Sequence, residues 1–259
     1  MGRVVLVGAG PGAEDLITVR GLNRLKQADC VFYDALVSPS LLSFIQPTAK
    51  QVAVGKRCGK RSTAQTFINK QLVEAASHYE LVVRLKGGDP MVFGRADEEL
   101  SALRAAGHDV EVVPGITAAL AAASSLQASL TLRGVARSLT LMTPAVGQGE
   151  NPDIDVFAGN AHDTVAVYMG LKQAGVWAEK LLLAGRQKNA PVILCESVST
   201  PEEQFTPLQL DDLPGYAAEH VTDGPCLILI GSALANACAR LHQQANARDI
   251  EIPPVNRVA

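Results

Sequence analysis

Short apolar runs alternate with helix-patterned segments along almost the whole chain, and this alternation restricts the fold more than any other feature. Strand-like runs fall at Arg3–Gly8, Cys30–Tyr33, Gln51–Val54, Leu81–Leu85 and Val110–Val113, then at Ser138–Met142, Thr164–Tyr168, Val192–Glu196 and Cys226–Ile230. They are rich in Val, Ile and Leu and apolar at successive positions, as strands covered on both faces are. Between them, Leu16–Ala28 sets Leu16, Val19, Leu22 and Leu25 on one stripe. Thr63–His78 turns Phe67, Ile68, Leu72, Val73 and Ala76 inward, with Thr63 as N-cap. Leu171–Ala184 and Ser232–Gln244 carry similar stripes, and Ala118–Leu126 reads as a helix of small residues. The pattern predicts an α/β fold with largely parallel sheets. The run Gln204–Leu208, ahead of Pro214-Gly215, predicts an extra antiparallel strand.

Pro114-Gly115 follows the fifth run, and Thr143–Asn160 has the Gly, Pro and Asn content of a long loop. These breaks predict two α/β domains, 1–114 and 115–245, facing each other across a ligand cleft, with 246–259 as an extension. With 259 residues, 47% hydrophobic and 19% charged, the chain can bury a core without staples and is not disordered. A net charge of −3 argues against a nucleic-acid or anionic-membrane binder. No cysteine pair is spaced C-x-x-C and no histidines pair at metal-ligand spacing, so no metal is expected. Cys30, Cys195 and Cys226 lie in apolar runs and read as buried free thiols of a reducing compartment. The opening MGRVVLVGAG lacks signal-peptide features, and no stretch of ~20 residues is continuously apolar. A cytoplasmic protein is expected.

Several turns carry the chemistry. Gly8-Ala9-Gly10-Pro11-Gly12 follows the first strand directly. Asp34 stands near where a ribose-binding acid would sit in a dinucleotide site, but the spacing is not G-x-G-x-x-G. Pro11 removes an N–H, and Glu14 and Asp15 would repel a pyrophosphate. A nicotinamide-dependent oxidoreductase is therefore disfavoured. A second glycine turn, Lys86-Gly87-Gly88-Asp89-Pro90, also ends a strand, the edge where open α/β sheets bind ligands. Asp89 with Pro90 fits a helix N-cap as well. Four cations crowd Gly55–Arg61, which is either a solvated loop or a polyanion site. Cys58 stands among them, with no nearby histidine to serve as its base. Val113-Pro114-Gly115-Ile116-Thr117-Ala118 and Tyr168-Met169-Gly170 complete the set, Met169 alone reading as a core gap-filler.

The stretches VLVGAGPGAEDLITVRG, ADCVFYDALVS, VGKRCGKRSTAQTFIN, VVRLKGGDP, FGRADEE, VPGIT and VYMG, in this order, resemble the tetrapyrrole methylase family. The likeness runs from Val4 to about Ser232. It implies two α/β domains, a homodimer and S-adenosylmethionine as methyl donor, with S-adenosylhomocysteine as product and no metal. It implies that Gly10, Pro11, Gly87, Gly88, Asp89, Val92, Thr117, Ala118, Met169 and Val198 hold the cofactor. Asp34 and Lys56 match a proton acceptor and donor, and Arg95, Glu98 and Arg133 match charged residues acting on a tetrapyrrole polycarboxylate. Arg57, Lys60 and Arg61 would add counter-charge. The implied reaction is two successive methyl transfers to pyrrole carbons of uroporphyrinogen III, giving precorrin-2 for sirohaem, cobalamin or haem d1. An arginine stays protonated, which favours a carboxylate as base and Arg95 as anchor.

The second half departs from the family pattern. Leu132 replaces a common histidine before Arg133, Thr143-Pro144-Ala145 replaces Thr-Gly-His, and Ser197-Val198-Ser199 replaces Asn-Gly-Thr. Arg61 stands for a histidine and Ala96 for a glycine. A later precorrin C-methyltransferase and a non-catalytic tetrapyrrole or cofactor binder therefore stay open. With strand one at the start, a stand-alone form without a dehydrogenase–chelatase module is expected.

Overall fold

The computed structural model describes residues 2–54, 65–144, 163–220, 222 and 224–249. The chain forms two compact units, 1–121 with 198–201, and 122–197 with 202–259.

Five strands form the sheet of the first unit: β1 (Arg3–Gly8), β2 (Cys30–Tyr33), β3 (Lys50–Ala53), β4 (Leu81–Lys86) and β5 (Asp109–Val113). Their order is β3-β2-β4-β1-β5, and every pair is parallel. The continuous apolar run of β1 follows from its place between β4 and β5. Val4 and Leu6 pack with Ile68 and Leu72 of α3 (Gln65–His78) and with Leu100 and Leu103 of α4 (Ala96–Ala105). Val5 and Val7 point the other way, into a cluster with Leu25 of α1 (Val19–Gln27) and Leu41 of α2 (Pro39–Leu42). Alternate residues thus feed two apolar layers, and past Arg3, which is exposed at the start of the strand, every position is buried.

Two inward assignments are corrected. The chain passes through a 3-10 turn at Glu14–Leu16 before Thr18 accepts the Gly21 N–H and caps α1. That break shifts the phase of the expected stripe, and Val19, in the first turn of α1, is 77% exposed. In α3 the buried line is Ile68, Leu72, Ala75 and Ala76, which leaves Phe67 on the solvent side. The expected cap at Thr63 lies outside the described residues.

The second unit builds a sheet of β6 (Leu139–Met142), β7 (Thr164–Tyr168), β8 (Pro191–Glu196), β9 (Gln204–Gln209) and β10 (Cys226–Ile230), in the order β6-β7-β10-β8-β9. Only β6–β7 is parallel; β7–β10, β10–β8 and β8–β9 are antiparallel. Largely parallel pairing therefore describes the first sheet, while the second is mixed. A continuous apolar run reports burial of both faces and carries no information on direction. The strand expected at 204–208 is β9, and it is antiparallel as read. Helices α6 (Ala174–Leu183), α7 (Leu213–Glu219) and α8 (Ala235–Asp249) accompany this sheet, and α5 (Ala118–Ser125) precedes it in the chain. Short 3-10 turns at Leu171–Gln173 and Ser232–Leu234 stand where α6 and α8 were expected to begin. Trp177, fully buried, centres the core with Leu181, Leu194, Leu213 and Ile228, and its indole N–H donates to the Gly170 carbonyl at 2.8 Å.

Cys30, Cys195, Cys226 and Cys238 are free. Cys226 is half-buried rather than buried, since it opens its strand. Burial still pushes its thiol up to about 12, and that of Cys238 to about 11. Among the described residues, no helix is long and apolar enough to cross a membrane.

Candidate functional site

In an all-parallel sheet every strand ends on the same edge. Placing β1 between β4 and β5 brings the loops after these three strands together. Gly10 and Gly88 form a backbone bridge: the Gly10 N–H donates to the Gly88 carbonyl at 3.2 Å, and the Gly88 N–H to the Gly10 carbonyl at 2.7 Å. At Gly8 the approach of the third loop is closer still. A Cβ there would lie 2.5 Å from the N and Cα of Gly115 and 2.8 Å from the Gly88 carbonyl oxygen. Gly88 itself has φ +66, and space for its missing side chain is open, with only the Thr117 Cα 3.9 Å away. The result is a cradle of closely packed backbone that opens at Gly88, suited to a ligand that must come close to the main chain.

Asp89 closes the cradle. Its Oδ2 accepts the Gly115 N–H at 2.9 Å and its Oδ1 accepts the Met91 N–H at 2.8 Å. It is not a helix N-cap, because α4 begins only at Ala96 and the carboxylate is occupied by these two loop amides. Asp34, just past β2, is held similarly. Its Oδ1 accepts the Leu36 N–H at 3.1 Å and its Oδ2 the Gly87 N–H at 3.3 Å, while the side chain stays 23% exposed.

Behind Asp34 lies an ionic cluster that the sequence reading did not assign. Glu99 of α4 is fully buried and accepts from Lys86 Nζ at 3.0 Å on both oxygens, from Arg84 Nε at 3.2 Å and from Gln65 Nε2 at 3.1 Å. The Arg84 Nη1 donates to the Leu85 carbonyl at 2.9 Å and lies 3.8 Å from Asp34 Oδ2. Burial lowers the Lys86 pKa, the Arg84 charge lowers it further, and Glu99 opposes both. The signal in the sequence is two cations at alternate positions of an otherwise apolar strand. Such charges are buried only when a counter-charge comes to meet them.

The remaining expected residues are dispersed. Arg95 and Glu98 form a two-pronged ion pair at 2.7 and 2.8 Å on the surface of the first unit. The Val92 N–H donates to the Asp89 carbonyl at 3.2 Å. Pro11 and Ala118 are half-buried and Thr117 is buried. Val198 is buried, and the Ser199 Oγ accepts the Ala13 N–H at 3.2 Å. Met169, at the end of β7 in the second unit, is not a core filler: it is 57% exposed with φ 54. Phe93, Arg95, Ser197 and Ser199 share this positive φ, with values of 53, 54, 48 and 65. Non-glycine residues held in this region store strain, which clusters at functional sites. Arg133 is exposed in the short loop between Leu132 and Ala136, which pair as an antiparallel bridge. Lys56, Arg57, Cys58, Lys60, Arg61 and most of the 143–160 loop lie outside the described residues. Among the described residues no three His, Cys, Asp or Glu side chains gather as a metal-binding group.

The sequence profile of the tetrapyrrole (corrin/porphyrin) methylases matches residues 3–214. This chain belongs to the tetrapyrrole methylase family. Within the family, it is 38% identical to the uroporphyrinogen-III C-methyltransferase of Synechocystis over 94% of this chain and 93% of that protein. It is 41% identical to the siroheme synthase of Zymomonas mobilis over 89% of this chain, which spans only 48% of that longer protein. The solved uroporphyrin-III C-methyl transferase of Thermus thermophilus, complexed with S-adenyl homocysteine, matches with a TM-score of 0.79 and 37% identity, covering 91% of this chain and 100% of that one.

Proposed function

We propose that this tetrapyrrole methylase is an S-adenosylmethionine-dependent uroporphyrinogen-III C-methyltransferase, adding two methyl groups to give precorrin-2. The observation that carries the reading is the glycine cradle beside a held, partly exposed carboxylate. It is built from the motifs of a family whose Thermus thermophilus member, similar to this chain over its whole length, was solved with S-adenyl homocysteine.

The residues present fit such a cofactor. The open space at Gly88 admits a ligand to within contact of the main chain, which a side chain there would prevent, and Gly10 and Gly87 are the proposed neighbours of that space. Pro11, Asp89, Val92, Thr117, Ala118, Met169 and Val198 complete the proposed contacts. S-adenosylmethionine, when bound, supplies a methyl group on a cationic sulfur. The chain's part is to hold the pyrrole carbon in line with that methyl, and alignment of this kind supplies much of a rate enhancement. Asp34 is the proposed acceptor of the proton lost from the ring, with Lys56 as donor; two backbone amides fix its carboxylate while leaving it accessible. Arg95 remains charged throughout and serves as an anchor for substrate carboxylates, together with Glu98 and Arg133. In the structure Arg95 is satisfied by Glu98, so a substrate carboxylate would compete with that partner.

The same reading places the domain boundary at Pro114, where the chain leaves β5, and has the protein act as a cytoplasmic homodimer without nucleic acid or membrane. The net charge of −3 and the four free thiols support the setting.

The test is anaerobic incubation with S-adenosylmethionine and uroporphyrinogen III, followed by mass analysis of the tetrapyrrole. The expected product carries two additional methyl groups. Binding of S-adenosylhomocysteine without transfer would overturn the choice of acceptor, and failure to bind it would overturn the cofactor assignment.

A further inference from the structure

We propose that Arg84, anchored by Glu99, is the positioning residue for Asp34, an inference that rests on the function proposed above. The cluster carries its charges in an economical order. Arg84 and Lys86 project from alternate positions of β4, and both are nearly fully buried. Glu99, with no exposed surface, answers them from α4, and the nearest further negative charge is Asp34 at the end of β2. Formally two cations face two carboxylates, but Glu99 alone receives the direct charge-assisted hydrogen bonds of both. Arg84 therefore spans the cluster: its Nε is spent on Glu99, while its Nη1 is held by the Leu85 carbonyl and stands 3.8 Å from Asp34 Oδ2. A guanidinium keeps its donors in one plane, so fixing Nε and one Nη1 contact fixes the direction of the charge presented to Asp34.

A buried ionic group of this kind is weak evidence for stability, since apolar side chains of the same volume often serve as well or better. The second unit has its own buried, wholly apolar cluster around Trp177. The cluster in the first unit sits directly behind Asp34, whose side chain stays partly exposed at the end of β2. Among the described residues, Asp34 is otherwise held by two neutral amide donors, at 3.1 and 3.3 Å. The Arg84 charge biases the carboxylate toward Oδ2 facing inward, leaving Oδ1 as the oxygen nearer the missing side chain of Gly87, at 3.6 Å. Lys86 holds Glu99 rather than Asp34, donating from Nζ to both Glu99 oxygens at 3.0 Å. Its stem instead packs under Gly94, where a Cβ would come within 3.2 Å of its Cε.

Arg84→Lys and Arg84→Met test the proposal, with turnover expressed per S-adenosylhomocysteine-binding site counted by calorimetry. This normalisation removes any loss that comes from unfolded protein. A misplaced catalytic group can cost on the order of 100-fold, so kcat per site is expected to fall about 100-fold in Arg84→Met and about 10-fold in Arg84→Lys, which keeps the charge and loses the plane. The KM for S-adenosylmethionine is expected to stay near that of the parent, because the glycine cradle is untouched. Parent-like kcat per site in Arg84→Met, whatever its melting temperature, would overturn the proposal, as would a KM increase without a kcat change. Should neither variant accumulate as folded protein, Glu99→Gln loosens the anchor from the far side, and the same split in kcat and KM decides. Absence of transfer by the unaltered chain would overturn the methyltransferase reading and this inference with it. Normal transfer by the parent with parent-like variants would overturn this inference alone.

Discussion

Strands β1 and β4 of the first unit and strands β8 and β10 of the second occupy the interior of their sheets. They nevertheless enclose different things. Beside β1, β4 carries Arg84 and Lys86 into the interior, and the loops beyond both strands lie in backbone contact. Val192 and Leu194 of β8 and Ile228 and Ile230 of β10 pack into the apolar cluster around Trp177, while Glu196 at the end of β8 pairs with His220 at 3.1 Å. Direction explains the contrast. Parallel strands all finish on one edge, so their loops converge and a ligand site can be assembled from several of them. Since β10 runs antiparallel to both β7 and β8, its loop leaves from the opposite edge.

The sharpest way to break this comparison is to damage each unit at its centre. Trp177→Ala is expected to cost about 4 kcal/mol, from the cavity and from the Gly170 carbonyl left without its donor, as read by urea unfolding. A loss below about 2 kcal/mol would mean that this core can collapse around the gap. Gly8→Ala sets a methyl group against backbone that cannot yield. It is expected to cost about 3 kcal/mol and to weaken S-adenosylhomocysteine binding, whereas Trp177→Ala does so only in proportion to unfolding. Met169→Gly separates strain from contact. Relief of its positive φ is expected to add about 1 kcal/mol of stability, while loss of the exposed side chain weakens S-adenosylhomocysteine binding about 10-fold by calorimetry. Equal affinity would remove Met169 from the proposed contacts.

Smaller effects sharpen the description of the second unit. The Cys226 thiol stays protonated in the folded chain to about 12, whereas it ionises from 9.0 once unfolded. Above pH 9 the unfolded state therefore binds fewer protons, and stability falls as pH rises between 9.0 and about 12. From pH 8 to pH 10 the parent should lose about 1 kcal/mol more than Cys226→Ala in denaturant titrations; identical slopes would refute the assignment. Gly175→Ala, in α6 with nothing within 4 Å of the new methyl, should stabilise by about 0.5 kcal/mol, the reverse of Gly8→Ala.

Much of the architecture was legible because burial writes itself into composition. The bounds of β1, β2, β7 and β10 coincide with the apolar runs, since each is flanked by residues that cannot continue a covered strand. Direction was not legible for β8 and β10, because side-chain alternation is identical for both senses. Val19 misled because the 3-10 turn at Glu14–Leu16 reset the phase of its stripe, and Phe67 because it falls off the buried line of Ile68, Leu72, Ala75 and Ala76 in α3. In the site, the glycine turns and Asp34 stood out by residue type. Whether Asp89 caps a helix stays open in the sequence, because a carboxylate before proline satisfies loop amides as readily as helix amides, and no local pattern tells the two apart. The Glu99 partnership was hidden because its members are separated along the chain and meet only when α4 packs on β4.

The strand order has a consequence in time. Arg3 of β1 pairs with Leu81 on one side and with Asp109 on the other. A growing chain thus holds this largely apolar strand without either neighbour until β4 and then β5 have been made. Pairings this distant are slow to form, and an unpaired apolar strand is exposed to aggregation meanwhile. Because Gly8, Gly88 and Gly115 touch only when both neighbours are in place, competence to bind should arrive as the last event of folding in the first unit rather than growing in by degrees.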